Sequence, residues 1–127
     1  IINENDSTAT DEIKFGDNDL LAAKVAKLVN ADLLVVLSTI DGLYTSQENI
    51  FSKKSGVLVT EVSKINAKIK KMAGEASYMG KGGMISKIEA AEICLKNNCV
   101  MVITSGKNKK PIRGLSKRKK STWFIKK

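Results

Sequence analysis

The 127-residue sequence contains no histidine, which excludes imidazole general bases, Ser-His-Asp triads and every histidine-based metal site. Its two cysteines, Cys94 and Cys99, are too few for a disulfide scaffold or a four-thiolate zinc site. We interpret both as buried free thiols, because each has apolar neighbours. Hydrophobic residues make up 43% and charged residues 28% of the chain, as in a globular protein rather than a disordered one.

Long hydrophobic segments are also absent. The longest apolar runs, such as Leu33–Leu37, fall far below the roughly 20 residues that a membrane helix needs. Residues 1–20 are polar and acidic, unlike a signal peptide. We therefore expect a cytoplasmic protein with no membrane segment. The chain opens on Ile1-Ile2, which is typical of a strand end, so we expect it to start inside a larger domain.

The net charge of +9 is divided unequally. Residues 1–63 carry 5 basic and 10 acidic side chains, whereas residues 64–127 carry 17 basic and 3 acidic ones. This pattern fits a nucleic-acid-binding tail or a solvated basic surface. It also fits one domain whose basic half faces an anion and whose acidic half handles a metal or a cationic group. Nucleic acid is the least favoured partner, because only Tyr78, Trp123 and Phe124 offer stacking there, and the last two are better interpreted as core anchors.

Apolar periodicity predicts alternating helices and strands. We expect one helix to begin at Asp17–Asp19 and stop at Asn30, and buried strands over Leu33–Leu37 and Cys99–Ile103. Two further helices are predicted: one marked by Val62, Ile65, Ile69 and Met72 that ends at Gly74, and one from Ile85 to Leu95 closed by Asn97-Asn98. The remaining predictions are a short strand or helix lead-in at Val57–Thr60, a loop at Pro111, and an edge strand at Thr122–Ile125. This alternation indicates an α/β fold with a mainly parallel sheet.

Two clusters of carboxylates and amides come first among the candidate sites, at Asn3–Asp6 and at Gly16–Asp19. One follows a predicted strand and the other begins a helix, so both could lie at the carboxyl edge of the sheet, where ligands bind. Asn side chains donate and accept hydrogen bonds, which suits the α-amino and α-carboxylate groups of an amino acid. Alternatively, Asp17 or Asn18 merely caps the helix.

A second candidate is the glycine-rich turn Gly80–Lys87, which leads into a helix. Unhindered backbone N–H groups, the helix dipole and the Lys87 ammonium together favour an anion. The order of residues matches neither a Walker A loop nor the dinucleotide fingerprint. A third candidate is Ser38-Thr39, at the carboxyl end of a buried strand that runs into Asp41-Gly42. A generic glycine turn and an ordinary β-turn are the alternatives.

Taken together and in order, these segments resemble the catalytic domain of the glutamate 5-kinase family, within the amino-acid kinases. Several motifs in one register, spread over essentially the whole chain, carry the resemblance. The matching stretches are Ile1–Asp6, Glu12–Asp19, Ala31–Leu37, Asp41–Tyr44, Gly82–Met84, Lys87–Ala91 and Ser121–Phe124.

The resemblance implies a three-layer α/β/α fold, incomplete at its N-terminus, and transfer of the γ-phosphoryl of ATP to the side-chain carboxylate of L-glutamate. It implies that Asp19 organises the lysines that contact phosphate, with Lys87 on the transferred phosphoryl group. The implied glutamate-binding residues are Asn3, Asp6, Asp17 and Asn18. The implied ATP-binding residues are Ser38, Thr39, Lys81, Gly82, Gly83, Met84, Ile85, Ser86 and Lys87. Mg²⁺ would arrive with ATP, no metal would be held by the protein alone, and the complete protein would be a homo-oligomer.

Three positions depart from the family pattern. The family usually has Asp in place of Thr39, Thr in place of Lys81, and often Thr in place of Ser86. The early strands of the family, with a glycine-rich phosphate segment and a lysine, would precede Ile1, so residues 1–127 correspond to the C-terminal part of one kinase domain. These departures leave open an alternative, a catalytically inactive or regulatory amino-acid-binding remnant. They also predict that residues 1–127 alone are inactive.

Overall fold

The computed structural model describes residues 17–45, 56–78, 83–116 and 120–127. Within these ranges, helices and strands alternate along the chain, as the apolar periodicity predicts. The elements are α1 (Asp17–Leu28), β1 (Leu33–Ser38), β2 (Glu61–Val62), α2 (Ala67–Tyr78), α3 (Met84–Lys96), β3 (Val100–Ser105), α4 (Pro111–Ser116) and β4 (Ser121–Phe124).

The four described strands form one mixed sheet in the order β1-β3-β4-β2. β1 pairs in parallel with β3, and β2 pairs in parallel with β4, whereas β3 and β4 are antiparallel. The prediction of an α/β fold with a mainly parallel sheet is therefore confirmed. The prediction that the last strand lies at an edge is wrong, because β4 lies between β3 and β2. Its short apolar pattern carries no information about the number of its neighbours.

The second helix differs most from its predicted bounds. Val62 belongs to β2 and pairs with Phe124, so the helix begins only at Ala67. Asn66 marks this start, because its side-chain oxygen accepts a hydrogen bond of 3.0 Å from the Ile69 N–H. Gly74 does not end the helix, which continues to Tyr78. A glycine inside a helix costs only about 1 kcal/mol relative to alanine, and packing outweighs that amount.

Two further predictions about local structure are corrected. Pro111 is the first residue of α4 rather than part of a loop. Proline suits that position, because its missing N–H would have no partner in the first turn of a helix. Residues 57–60 form neither a helix lead-in nor a strand of several residues: Leu58 makes an isolated antiparallel bridge with Tyr44, and β2 begins only at Glu61.

The helices α1 and α3 end in the same way, in a Schellman motif with asparagine in the left-handed region. In α1, the Ala31 N–H donates to the carbonyl of Ala26 at 2.9 Å, and Asn30 has a φ of 53°. In α3, the Cys99 N–H donates to the carbonyl of Cys94 at 2.9 Å, and Asn98 has a φ of 55°. Each helix thus turns directly into a parallel strand.

The core lies between this helix pair and one face of the sheet. Alanines on the facing surfaces of the helices allow a close approach, and Val36, Met101 and Ile103 fill the space beneath them. Phe124 is fully buried, and both cysteines are buried free thiols, as predicted. β1 is covered on one face only by the described residues, since Leu33 and Leu37 remain 45% and 49% exposed.

Candidate active site

The topology brings the first turns of two helices to one edge of the sheet. α1 and α3 each lead through a tight turn into a parallel strand, so their N-termini lie at the carboxyl ends of β1 and β3. This edge carries Asp19 on α1, Gly83–Lys87 at the start of α3, and Ser38-Thr39 at the end of β1. Ligands bind at this edge in open α/β sheets.

An ion pair joins the two helix starts. The Lys87 ammonium lies 3.0 Å from the Asp19 Oδ2 atom, although the two residues are 68 positions apart in the sequence. Lys87 is only 8% exposed, which is unusual for a lysine. A lysine buried to this extent needs a charged partner, and the Asp19 carboxylate provides it.

The Ser86 hydroxyl contacts the same carboxylate oxygen at 3.0 Å. It also lies 2.7 Å from the carbonyl oxygen of Gly83. Two consecutive residues of α3 therefore converge on one atom of α1. The sequence predicted a nucleotide contact for Ser86 and gave no sign of its contact with Asp19.

Gly83 provides the backbone geometry at the start of α3. Its φ of 78° lies in the left-handed region, where a side chain would be strained. Its carbonyl accepts the first helical hydrogen bond, from the Lys87 N–H at 3.1 Å, and no described side chain caps this helix. The first turn of α3 thus places backbone N–H groups beside a lysine, an arrangement that favours an anion.

The segment after β1 is anchored from a distant strand. A Cβ atom at Gly42 would overlap the Thr122 hydroxyl of β4, so this position has no room for a side chain. The Thr122 Oγ1 accepts a hydrogen bond from the Leu43 N–H at 2.9 Å and donates one to the Val59 carbonyl at 2.6 Å. The glycine at position 42 is therefore required by packing against β4, and whether Ser38-Thr39 contacts a ligand stays a prediction. No local signal in the sequence identifies Thr122 as the anchor of this segment.

Beside this anchor, the Tyr44 hydroxyl donates a 3.1 Å hydrogen bond to the Asp41 carboxylate. Burial, followed by that hydrogen bond and the negative charge of Asp41, raises the pKa of Tyr44 above its ordinary value. Ser38 lies at the end of β1, where its carbonyl accepts a 2.8 Å hydrogen bond from the Gly106 N–H, and Thr39 is exposed.

Of the other residues predicted to bind glutamate or ATP, some lie among the described residues and some outside them. Asn18 is half-buried on the first turn of α1, beside Asp19, and Met84 is fully buried while Ile85 is 47% exposed. Asp17 starts α1. Asn3, Asp6, Lys81 and Gly82 lie outside the described residues, so the predicted convergence of the two carboxylate–amide clusters stays a prediction.

The basic half of the chain also reaches this edge. Lys107, Lys109 and Lys110 follow directly after β3, and Lys107 is held by a 3.2 Å hydrogen bond from its N–H to the Ser105 hydroxyl. An anion seated at the start of α3 would therefore lie at an edge with several cations. In the part of the chain that the structure describes, no helix is long and apolar enough to cross a membrane.

The mixed sheet, with the starts of α1 and α3 paired at its carboxyl edge, defines an α/β protein with a candidate anion site. Residues 1–105 match the sequence profile of the amino acid kinase family. The chain belongs to this family. The fold agrees, because UMP kinase from Ureaplasma parvum superposes on 86% of this chain and 39% of its own with a TM-score of 0.55, at 15% identity.

Individual relatives are considerably more similar in sequence. The glutamate 5-kinase of Clostridium acetobutylicum is 49% identical over 127 residues, 98% of this chain and 47% of its own length. The glutamate 5-kinase of Pelagibacter ubique is 46% identical over 126 residues, 98% of this chain and 34% of its own length. The resemblance carried by the motifs is thereby confirmed, and the chain spans between a third and a half of these curated relatives.

Proposed function

We propose that this chain forms part of the phosphoryl-transfer site of a glutamate 5-kinase. The reaction moves the γ-phosphoryl group of ATP to the side-chain carboxylate of L-glutamate, and would be the first step of proline biosynthesis. The observation that carries the proposal is the buried pair of Lys87 and Asp19 at the start of α3. The names of the similar proteins support the substrate.

The chemistry explains why such a site needs this arrangement. Both the phosphoryl donor and the carboxylate acceptor are anions, so their approach requires cations and backbone N–H donors. The N-terminus of α3 offers the donors, and Lys87 offers a cation held in a fixed position by Asp19. The unequal charge of the chain suits this division, since the basic half carries the donor side and the acidic half the amino-acid side.

Each predicted residue has a role in this proposal. Lys87 contacts the transferred phosphoryl group, and Asp19 orients Lys87. The first turn of α3 and the preceding Lys81 and Gly82 bind the phosphates, and Ser38 and Thr39 contact the nucleotide. The residues proposed to hold glutamate are Asn3, Asp6, Asp17 and Asn18.

ATP is the proposed phosphoryl donor, and Mg²⁺ would be held mainly by the oxygens of its phosphates. Bound Mg²⁺ would neutralise charge that develops during transfer. We further propose that the complete protein works in the cytoplasm as a homo-oligomer.

A steady-state assay of glutamate-dependent ADP release by the full-length protein tests this proposal. Lys87→Ala should lower kcat about 100- to 1,000-fold, the usual cost of removing one group that stabilises transition-state charge. The KM for glutamate should change little. Lys96→Ala is the matched control, because Lys96 is an exposed lysine in the last turn of the same helix. An unchanged kcat in Lys87→Ala would refute this role, and no turnover in the unmodified protein would favour the inactive alternative.

A further inference from the structure

We propose that Ser86 is a positioning residue, which holds the Asp19 carboxylate in place so that Lys87 points correctly. The inference rests on the proposed kinase function. It assigns the Ser86 side chain a role inside the protein, in place of the nucleotide contact that the sequence predicted.

The geometry places two polar groups of α3 around a single oxygen atom of α1. The Lys87 ammonium and the Ser86 hydroxyl each lie 3.0 Å from the Asp19 Oδ2 atom. Ser86 and Lys87 are adjacent in the first turn of α3, whereas Asp19 lies in the first turn of α1. The hydroxyl therefore ties the carboxylate to the same helix turn that carries the lysine.

The Ser86 hydroxyl has a single proton and two possible acceptors for it. Ser86 has one O–H, and its two neighbours, the Asp19 carboxylate and the Gly83 carbonyl, are both acceptors. The Gly83 carbonyl already accepts the Lys87 N–H, so it has a partner without the hydroxyl. A hydrogen bond to a charged carboxylate is roughly twice as strong as a neutral one. The contact to the Gly83 carbonyl is the shorter one, at 2.7 Å against 3.0 Å, so the single proton is shared between the two acceptors.

This use of the proton has a consequence for ligand binding. With its single hydrogen engaged by Asp19 and the Gly83 carbonyl, the Ser86 oxygen presents only lone pairs to its surroundings, and lone pairs repel phosphate oxygens. The Ser86 side chain is thus unsuited to bind a nucleotide phosphate. Its effect on catalysis passes through Asp19 to Lys87.

Positioning matters because the Lys87 side chain is long and has many rotamers. A carboxylate held from one side only is free to pivot, and the ammonium follows it. In an active site, a displacement of about 1 Å lowers the rate by about 100-fold. Ser86 restricts this motion by linking Oδ2 to the backbone of α3.

The test compares Ser86→Ala with Ser86→Thr in the full-length protein. Ser86→Ala should lower kcat about tenfold and leave the KM for ATP within about twofold, because binding to phosphate is retained while Lys87 is mispositioned. Ser86→Thr keeps the hydroxyl and should restore kcat. Ser116→Ala is the matched control, since the Ser116 hydroxyl makes the same bond to a carbonyl three residues earlier, at 2.8 Å, at an exposed position of α4.

A raised KM for ATP with an unchanged kcat would overturn the proposal and establish a nucleotide contact. The same kcat in Ser86→Ala, Ser86→Thr and Ser116→Ala would also overturn the proposal. If the unmodified protein shows no glutamate-dependent turnover, the kinase function fails separately, and unfolding in urea then decides the role of Ser86. Ser86→Ala should lower the unfolding midpoint more in the native background than in an Asp19→Ala background, where the acceptor is removed. Equal losses in both backgrounds would refute the contact.

Discussion

Two regions of the molecule, α1–β1 and α3–β3, are built on the same plan. Each consists of a helix, a Schellman motif with asparagine at a φ near 54° and a six-residue strand, and the two strands pair in parallel from Leu33 with Val100 to Ser38 with Ser105. Their helix starts differ in charge. α1 begins with Asp17 and Asp19, whereas α3 begins after a glycine and carries Lys87. Repeating one backbone plan with opposite charges creates the ion pair at the sheet edge.

The two regions also differ in burial, and this difference depends on position in the sheet. β3 has neighbours on both sides and is almost entirely buried. Among the described strands β1 lies at an edge, and its outer leucines are half-exposed although its sequence is more apolar than that of β3. Composition alone therefore does not decide burial.

The largest expected effect comes from breaking the contact that joins the two regions. Asp19→Leu leaves the Lys87 ammonium buried without a partner and should cost about 3 kcal/mol of unfolding free energy. Adding Lys87→Met removes the unpaired charge and should recover most of this loss. Urea unfolding of both variants measures the difference.

The exposed pair of Lys70 and Glu92, 3.3 Å apart with side chains 61% and 31% exposed, is the control. Replacing Glu92 with leucine should change stability by less than about 1 kcal/mol, because solvent screens this pair. If Asp19→Leu and Glu92→Leu cost the same unfolding free energy, the buried pair of Asp19 and Lys87 contributes no more to stability than the exposed pair.

An intermediate effect is expected at the two asparagines. Asn30→Ala and Asn98→Ala each place alanine in the left-handed region and should each cost about 1 kcal/mol. The losses should be equal, since the motif is local and both residues are exposed. Asn→Gly at each position is the control and should be neutral or slightly stabilising. If thermal unfolding shows clearly unequal losses of stability for Asn30→Ala and Asn98→Ala, the two motifs are not energetically equivalent.

The last effect is confined to alkaline pH and concerns the residue pairs that close each motif, Ala26 with Ala31 and Cys94 with Cys99. Burial, together with the neighbouring Cys99 thiol, raises the pKa of Cys94 to about 12 from a usual 9.0. The native state therefore favours the neutral thiol, and this stabilisation is complete below pH 9 and is lost as the pH rises toward 12. Burial also raises the pKa of Cys99.

The corresponding measurement is the unfolding free energy between pH 8 and pH 12 for the native chain and for Cys94→Ala. The variant should lose less stability than the native chain over this interval, because it lacks the titrating thiol. Parallel curves would show that Cys94 does not contribute. Other groups, including Tyr44 with its raised pKa, titrate in both proteins and cancel in the comparison.

The limits of sequence reasoning show most clearly in α2 and β4. The apolar spacing from Val62 to Met72 continues through Ile65, so a helix pattern includes a residue that pairs in the sheet. The cap at Asn66 is the local signal that separates the two. β4 has no such signal, since the positions of its neighbours depend on the path of the whole chain.

By itself, the sequence determined the α/β class, the helices α1 and α3, the strands β1 and β3, and the asparagines that end both helices. Those features depend on periodicity and capping over a few residues, which local physics decides. Only the tertiary structure decided that Ser86 meets Asp19, that Thr122 anchors Leu43, and that β4 lies inside the sheet. These contacts join residues 67 and 79 positions apart, and the chain brings them together only when helices and strands pack around one core.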